Sequence, residues 1–392
     1  MGEQSQHNHS LPMKQEEHFE KLFESEDFKE ALKQYEESTA KGEFAYFDSE
    51  QLLDIADFYA MHEQNDKLEQ TVDYGLTLHP DSDEIKLFKA RLLMTKDKLF
   101  EAHMLLESIS ELDEEIALVR GSLMVLQNQS DKAMEYLWNY FTDKEKSMEI
   151  QFSILLDIIE LFYEYHDKND YALQWAEFAW QLSKRRSIDD DELRQAQDYL
   201  TDLRFEAGQS DKAILILEQI IDKDPYDIHS WLRLGYIYAE SGCHEEALEA
   251  YENATAIAPD NAEVNYLKAK SYEKMFRFEQ ACNEYTRCYE SGFEQLDVAY
   301  SLGYIYHFFL KNKEFAIRFF EQARSLITEE TSIEMCVAIY TNLMQAYANS
   351  EDYTNAARIC NLLSKEVGVN EEVDSEDIAK IVKSIKEKSK KK

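Results

Sequence analysis

The chain has 392 residues, 79 of them acidic and 42 basic, for a formal net charge of -37, and it contains only 10 glycines and 4 prolines. This is the composition of a helical protein whose acidic body is excluded from docking on a nucleic-acid backbone or an anionic membrane, where clustered Lys and Arg are needed. The longest apolar stretch, Ile154 to Phe162, is broken by Asp157 and Glu160, and Met1 to Ser10 is polar. No membrane span and no signal peptide are therefore expected, and the default compartment is the cytoplasm.

Residues 1–13 read as a flexible N-terminus. His7, His9 and His18 have ligand-like spacing but no carboxylate or cysteine partner nearby, so they read as a solvated tail and no metal is expected. From residue 14 to 370 the apolar residues fall into helical stripes. Leu52, Ile55, Ala56 and Tyr59 stand at i, i+3, i+4 and i+7. The same spacing returns at Ala117, Arg120, Gly121 and Met124, at Trp231, Leu234, Gly235 and Tyr238, at Ala299, Leu302, Gly303 and Tyr306, and at Tyr340, Leu343, Met344 and Tyr347. Arg120 alone is out of place on these stripes.

A second helix follows each stripe and is opened by a small residue: Ala31, Leu68, Ala102, Ala133, Ala172, Ala213, Ala247, Ala281, Ala316 and Ala356. These markers are separated by 37, 34, 31, 39, 41, 34, 34, 35 and 40 residues, which implies ten helix pairs. Glu240 to Cys243 supply a turn in which Gly242 is free to take positive φ. Gly235 and Ala247 are small where two helices should cross, leaving Trp231, Tyr238 and Tyr251 to fill the volume. Pro80, Pro225 and Pro259 fall where a pair ends. Long steps predict insertions in turns at Asp143–Lys146, Lys184–Glu192 and Thr328–Thr331, and the step of 31 predicts a tightened turn near Ser110 to Asp113. Residues 150–227 follow the pattern least closely, with Gln197 at the place of Trp231 and Arg204 where an aromatic is usual. Residues 371–392 read as a basic capping helix and tail, with Ser375 as cap, an apolar stripe of Ile378, Ile381, Val382 and Ile385, and lysines through Lys392.

Trp231, Leu234, Gly235, Tyr238, Ala247, Tyr251, Ala254 and Pro259 form the spacing W-x2-L-G-x2-Y-x8-A-x3-Y-x2-A-x4-P. This closely resembles the tetratricopeptide repeat, a helix-turn-helix unit of about 34 residues. The resemblance is best over residues 228–366. It implies an all-α, right-handed α-solenoid of about ten helix-turn-helix units whose product is a binding surface and not a catalytic cleft.

The resemblance also implies that the first helix of each pair lines the concave face. Residues interleaved with the packing stripe are then His229, Leu232, Tyr236 and Glu240, next Tyr266, Lys270, Glu273 and Lys274, and last Tyr300, Tyr304, His307 and Phe308. A partner-binding groove is expected at His229, Tyr236, Tyr266, Lys270, Lys274, Tyr300, Tyr304 and His307. Rings add buried area at low entropy cost, and lysines fix an acidic side chain or carboxylate of an extended peptide. The implied function is a non-catalytic protein-interaction scaffold or adaptor whose partner is a protein or peptide.

Other uses of the family fit less well. Co-chaperones that clamp the acidic tail of heat-shock chaperones carry Lys, Asn and Arg at positions where this chain has Leu232, Tyr236, Tyr266, Lys270, Tyr300 and Tyr304, so only Lys270 is basic. A peptide-responsive regulatory sensor is the alternative, but such bacterial regulators usually add an output domain for which the dozen residues before the repeats leave no room. Enzyme signatures such as G-x-x-x-x-G-K-S, G-x-G-x-x-G, H-E-x-x-H and G-x-S-x-G are missing, so neither catalysis nor a cofactor is expected. Cys243, His244 and Glu245 are neighbours at a helix start and point in different directions. The five cysteines form no CxxC pair and read as reduced thiols buried as small apolar side chains, Cys288 and Cys360 on packing stripes. Partner identity and oligomeric state stay open.

Overall fold

A computed structural model describes residues 19, 21–42, 45–110, 112–142, 150–164 and 169–366. The expected N-terminal tail with its histidines, the insertion at Asp143–Lys146 and the C-terminal capping helix lie outside those residues. All regular structure among the described residues is helical. The helices are α1 (Glu26–Lys41), α2 (Ser49–Met61), α3 (Asn65–Leu78), α4 (Asp83–Thr95), α5 (Leu99–Glu107), α6 (Glu114–Leu126) and α7 (Ser130–Phe141). They continue as α8 (Phe152–Tyr163), α9 (Asn169–Ser183), α10 (Asp190–Glu206), α11 (Ser210–Lys223), α12 (Ile228–Glu240) and α13 (His244–Ile257). The last are α14 (Ala262–Lys274), α15 (Phe278–Ser291), α16 (Gln295–Phe308), α17 (Lys313–Ser325), α18 (Ile333–Asn349) and α19 (Tyr353–Glu366). Packing divides the chain into two compact units, Met1–Leu200 and Thr201–Lys392.

Helix starts have local causes. The Asp48 carboxylate accepts from the Gln51 N–H while the Gln51 side chain accepts from the Asp48 N–H, a reciprocal capping box. Ser25, Ser82, Asp113, Asn261, Asn312 and Ser332 each accept from the N–H three residues on, meeting one of the four donors that a helix start leaves unpaired. Pro80, Pro225 and Pro259 lie in the short connections before α4, α12 and α14, as their spacing predicts.

The turns inside eight of the pairs follow one rule. Glu63, Asp97, Asn128, Gly208, Gly242, Phe276, Lys311 and Glu351 all have φ between 55° and 81°, and each stands five residues before its marker residue. The next residue closes a long bond back across the turn, as Cys243 N–H does to the Tyr238 carbonyl at 2.8 Å and Gln129 N–H to that of Met124 at 2.8 Å. This is the Schellman closure of a helix C-terminus.

The crossing is built from volume. The marker alanines from Ala102 to Ala356 are all fully buried, and only Ala31, on α1, is half-buried. Gly121, Gly235 and Gly303 stand twelve or thirteen residues before a marker, each facing the residue four after it. A Cβ on Gly121 would meet Leu137 at 2.7 Å, one on Gly303 would meet the Phe320 ring at 2.6 Å, and one on Gly235 would enter the Tyr251 ring. The α18–α19 pair inverts the arrangement, with Met344 and Cys360 at the same two positions in one buried cluster.

Two expectations are corrected. The step of 31 does not come from a tightened turn: residues 108–113 join α5 to α6, and the loss lies in α5 itself, which has 9 residues where α11 and α13 have 14. Arg120, seemingly misplaced, is part of that solution. Its Nη2 donates to the Leu106 carbonyl at 2.9 Å at the end of α5, joining the Ile109 N–H that the same carbonyl accepts at 3.2 Å. The second correction is Cys243, which is exposed although Cys282, Cys288 and Cys360 are buried. It follows the left-handed Gly242 at the outer edge of the turn, where no neighbouring helix covers it. Burial pushes the Cys282 thiol up to about 11 and the Cys288 thiol to about 12, so both stay protonated and inert.

Candidate functional site

Because the packing stripe fixes which side of each first helix faces its partner, the interleaved residues of α12, α14 and α16 are set on the remaining face. Each predicted site residue can be placed there or elsewhere. Tyr236 on α12 is 48% exposed, with its ring edge on Phe205 at 6.1 Å. His229 is half-buried in the first turn of the same helix. On α14, Tyr266 is half-buried between Tyr285 at 6.1 Å and Phe293 at 5.8 Å, and the Lys270 ammonium lies 5.3 Å from the Tyr266 ring centroid. Lys274 is exposed in the last turn.

On α16 the rings form a second group. Tyr300 and Tyr304 are 6.2 Å apart, and Tyr304 lies 4.6 Å from Phe308. The Tyr300 hydroxyl accepts from Asn342 Nδ2 at 2.9 Å, so this ring is tied to the following repeat. Burial pushes the Tyr300 hydroxyl pKa above its ordinary value. His307 departs from the expected groove. It is 8% exposed, its ring meets Phe308 at 4.5 Å, and Nε2 is 3.4 Å from Asn349 Nδ2. Desolvation, with Lys311 acting in the same sense, holds its imidazole below the ordinary pKa, so it is a neutral packing group at pH 7. The face thus brings together Tyr266 with Lys270 and Tyr300 with Tyr304 and Phe308, and it leaves out His307.

Lys268, two residues before Lys270, is buried and reaches Glu284 at 3.6 Å, so it neutralises a carboxylate inside the repeat and is not part of the face. Glu273 is occupied as well, accepting from the Tyr285 hydroxyl at 2.7 Å. The cations left to the face are Lys270 and Lys274.

Sequence reasoning missed a strip of rings at the turn edge. Phe276 is 75% exposed with φ 59°, Phe278 lies 6.1 Å from it, and Phe278 stacks on Phe309 at 3.9 Å. The signal was available, since Phe276 occupies the position that Gly242 holds one repeat earlier.

Packed helix pairs in constant register, small residue against large, define an α-solenoid of helix-turn-helix units. Tetratricopeptide repeat family models match residues 204–271 and 262–291, so this stretch of the chain is of the tetratricopeptide repeat type. It is 30% identical over 104 residues to Superkiller protein 3 of Schizosaccharomyces pombe, a match that covers 26% of this chain and 8% of that protein. A crystal structure of MamA is 20% identical and covers 49% of this chain and 95% of its own, with a TM-score of 0.36. A tetratricopeptide repeat protein from Parabacteroides merdae is 11% identical, covers 70% of this chain and 98% of its own, and has a TM-score of 0.42. Among the described residues no helix is long and apolar enough to cross a membrane.

Proposed function

We propose that the chain is a non-catalytic protein-interaction scaffold that captures a partner peptide on the interleaved face of α12, α14 and α16. The family is one of interaction modules, and its matched residues include α12 and α14, which carry two thirds of this face. The observation that carries the reading is the Tyr266–Lys270 pair. A cation held beside a half-buried ring offers one surface for an apolar side chain and one charge for a carboxylate. Tyr300, Tyr304 and Phe308 extend the apolar surface by one repeat, and Tyr236 by one in the other direction.

The test is Lys270→Glu combined with Tyr304→Ala. Proteins retained by the intact chain and by the double variant from a native lysate are compared by mass spectrometry, and affinity for the retained partner is then measured. Binding is expected to weaken at least about tenfold, the size of one lost anchor, with helical circular dichroism unchanged. Unchanged binding moves the site off this face.

A further inference from the structure

The same register that builds the aromatic face builds a different surface in the N-terminal unit. The interleaved positions there are Leu53, Asp57 and Met61 on α2, Glu84, Leu87 and Arg91 on α4, and Glu115 and Leu118 on α6. Those of α2 and α4, with Glu115, line an open groove of about 1050 Å³, and a contiguous section of about 580 Å³ sharing Arg91, Asp113 and Glu115 carries it on past Leu118 to Ile154 and Asp157 of α8. The floor is apolar, made by Leu53, Leu87, Phe88, Leu118 and Ile154, all buried or half-buried. Asp81, Glu84, Glu115 and Asp157 stand exposed along it.

Among the lining residues Arg91 is the one cation, and it is already committed to Glu115 at 2.7 Å. The groove therefore keeps a strong negative balance after its internal pairing. One carboxylate lies deeper. Asp57, between the leucines, is pushed up to about 6 by desolvation first and by neighbouring Asp54 second, with Arg91 opposing.

We infer that this groove is a second docking site, and that its occupant is a cationic amphipathic helix of a partner protein. A row of leucines one per repeat takes apolar side chains at i, i+3 or i+4, and i+7 of a helix laid across it. The carboxylates select lysine or arginine on the flanks of that stripe, and they repel an acidic segment or a nucleic acid. The site is independent of the aromatic face and has the opposite charge preference.

The test uses the full chain and a fluorescent synthetic peptide of about 18 residues, roughly five helical turns, with leucines on one stripe and lysines elsewhere. Two control peptides replace its lysines by glutamates or its leucines by serines. Fluorescence anisotropy should show the amphipathic cationic peptide bound, and both controls weaker by at least about tenfold. Asp81→Lys with Glu84→Lys should weaken the cationic peptide by a similar factor with helical content intact. Lys270→Glu with Tyr304→Ala should leave it unchanged. The inference is overturned if the cationic peptide does not bind, if the serine control binds as tightly, or if the double lysine variant binds as before. The serine result would mean attraction to a charged surface and no docking on the leucine row. Loss of binding in Lys270→Glu with Tyr304→Ala would place the peptide on the aromatic face.

Discussion

The two compact units solve one packing problem with different side chains. At the position four residues after the marker, three successive crossings of the N-terminal unit bury Val72, Leu106 and Leu137, whereas three successive crossings of the C-terminal unit bury Tyr251, Tyr285 and Phe320. The opposing first-helix residues are small in both: Ala56, Ala90 and Gly121 in one, Gly235, Ala269 and Gly303 in the other. Interleaved positions diverge in the same way, Leu53, Leu87 and Leu118 against Leu232, Tyr266 and Tyr300. What must be conserved for the fold is the sum of two volumes at a crossing, and the exposed face beside it is free to take any chemistry. One scaffold therefore presents a leucine-and-carboxylate surface and an aromatic-and-lysine surface.

The sharpest way to break the comparison is to upset the volume sum where it is tightest. Gly235→Met places a long side chain where the Tyr251 ring already lies, and it should destabilise by about 3 kcal/mol or more in urea unfolding. Adding Tyr251→Cys copies Met344 with Cys360 of the α18–α19 pair. The double variant should then be more stable than the sum of the two single losses by at least about 1 kcal/mol, as expected for residues that share one space. Strict additivity would mean that the two positions do not trade volume.

A smaller effect separates the units by pH. Asp57 is a carboxyl whose native pKa is raised, from 3.8 to about 6, so between those values the native state holds a proton that the unfolded chain has released. Unfolding free energy therefore falls as pH rises through this window and is flat above it, the reverse of an ion-paired carboxylate. Asp57→Asn removes the penalty. It should stabilise the protein by about 2 kcal/mol at pH 7 and by little near pH 4. Denaturation at the two pH values checks the sign, with Tyr236→Phe at the matching position on α12 as the control. A gain of equal size at pH 4 would show that the asparagine packs better for reasons unrelated to charge.

Much of the fold was legible because crossings are local. Alanine at nine of the ten markers, with Leu234 and Gly235 thirteen and twelve residues before Ala247, states the register without reference to distant residues. What failed to be legible depends on partners far along the chain or on strain. The role of Arg120 needs the carbonyl of Leu106 at the end of the preceding helix, and the setting of His307 involves Asn349, forty-two residues on. The tyrosines were read as an open groove, but the bond from Asn342 to Tyr300 ties one of them to the next repeat. The N-terminal groove was passed over because the interleaved positions were read only in the three repeats that follow the pattern best. Applying the interleaved register of α12 to α2, α4 and α6 finds it.

The turns were the least legible feature, and they give the smallest and most local test. A left-handed residue inside eight of the pairs suggests glycine, yet among those eight only Gly208 and Gly242 supply it, and Phe276 takes φ 59° with its ring 75% exposed. An L-residue with a bulky side chain costs about 1–2 kcal/mol in that conformation, and an exposed ring returns little of it through burial. Phe276→Gly should therefore stabilise the C-terminal unit by about 1 kcal/mol, and Gly242→Ala should destabilise it by a similar amount. The two variants have opposite signs at one register position, so thermal unfolding of both distinguishes backbone strain from side-chain loss. If Phe276→Gly lowers stability instead, the contact of its ring with Phe278 outweighs the strain, and the strip running on to Phe309 is a packing element that happens to lie at the surface.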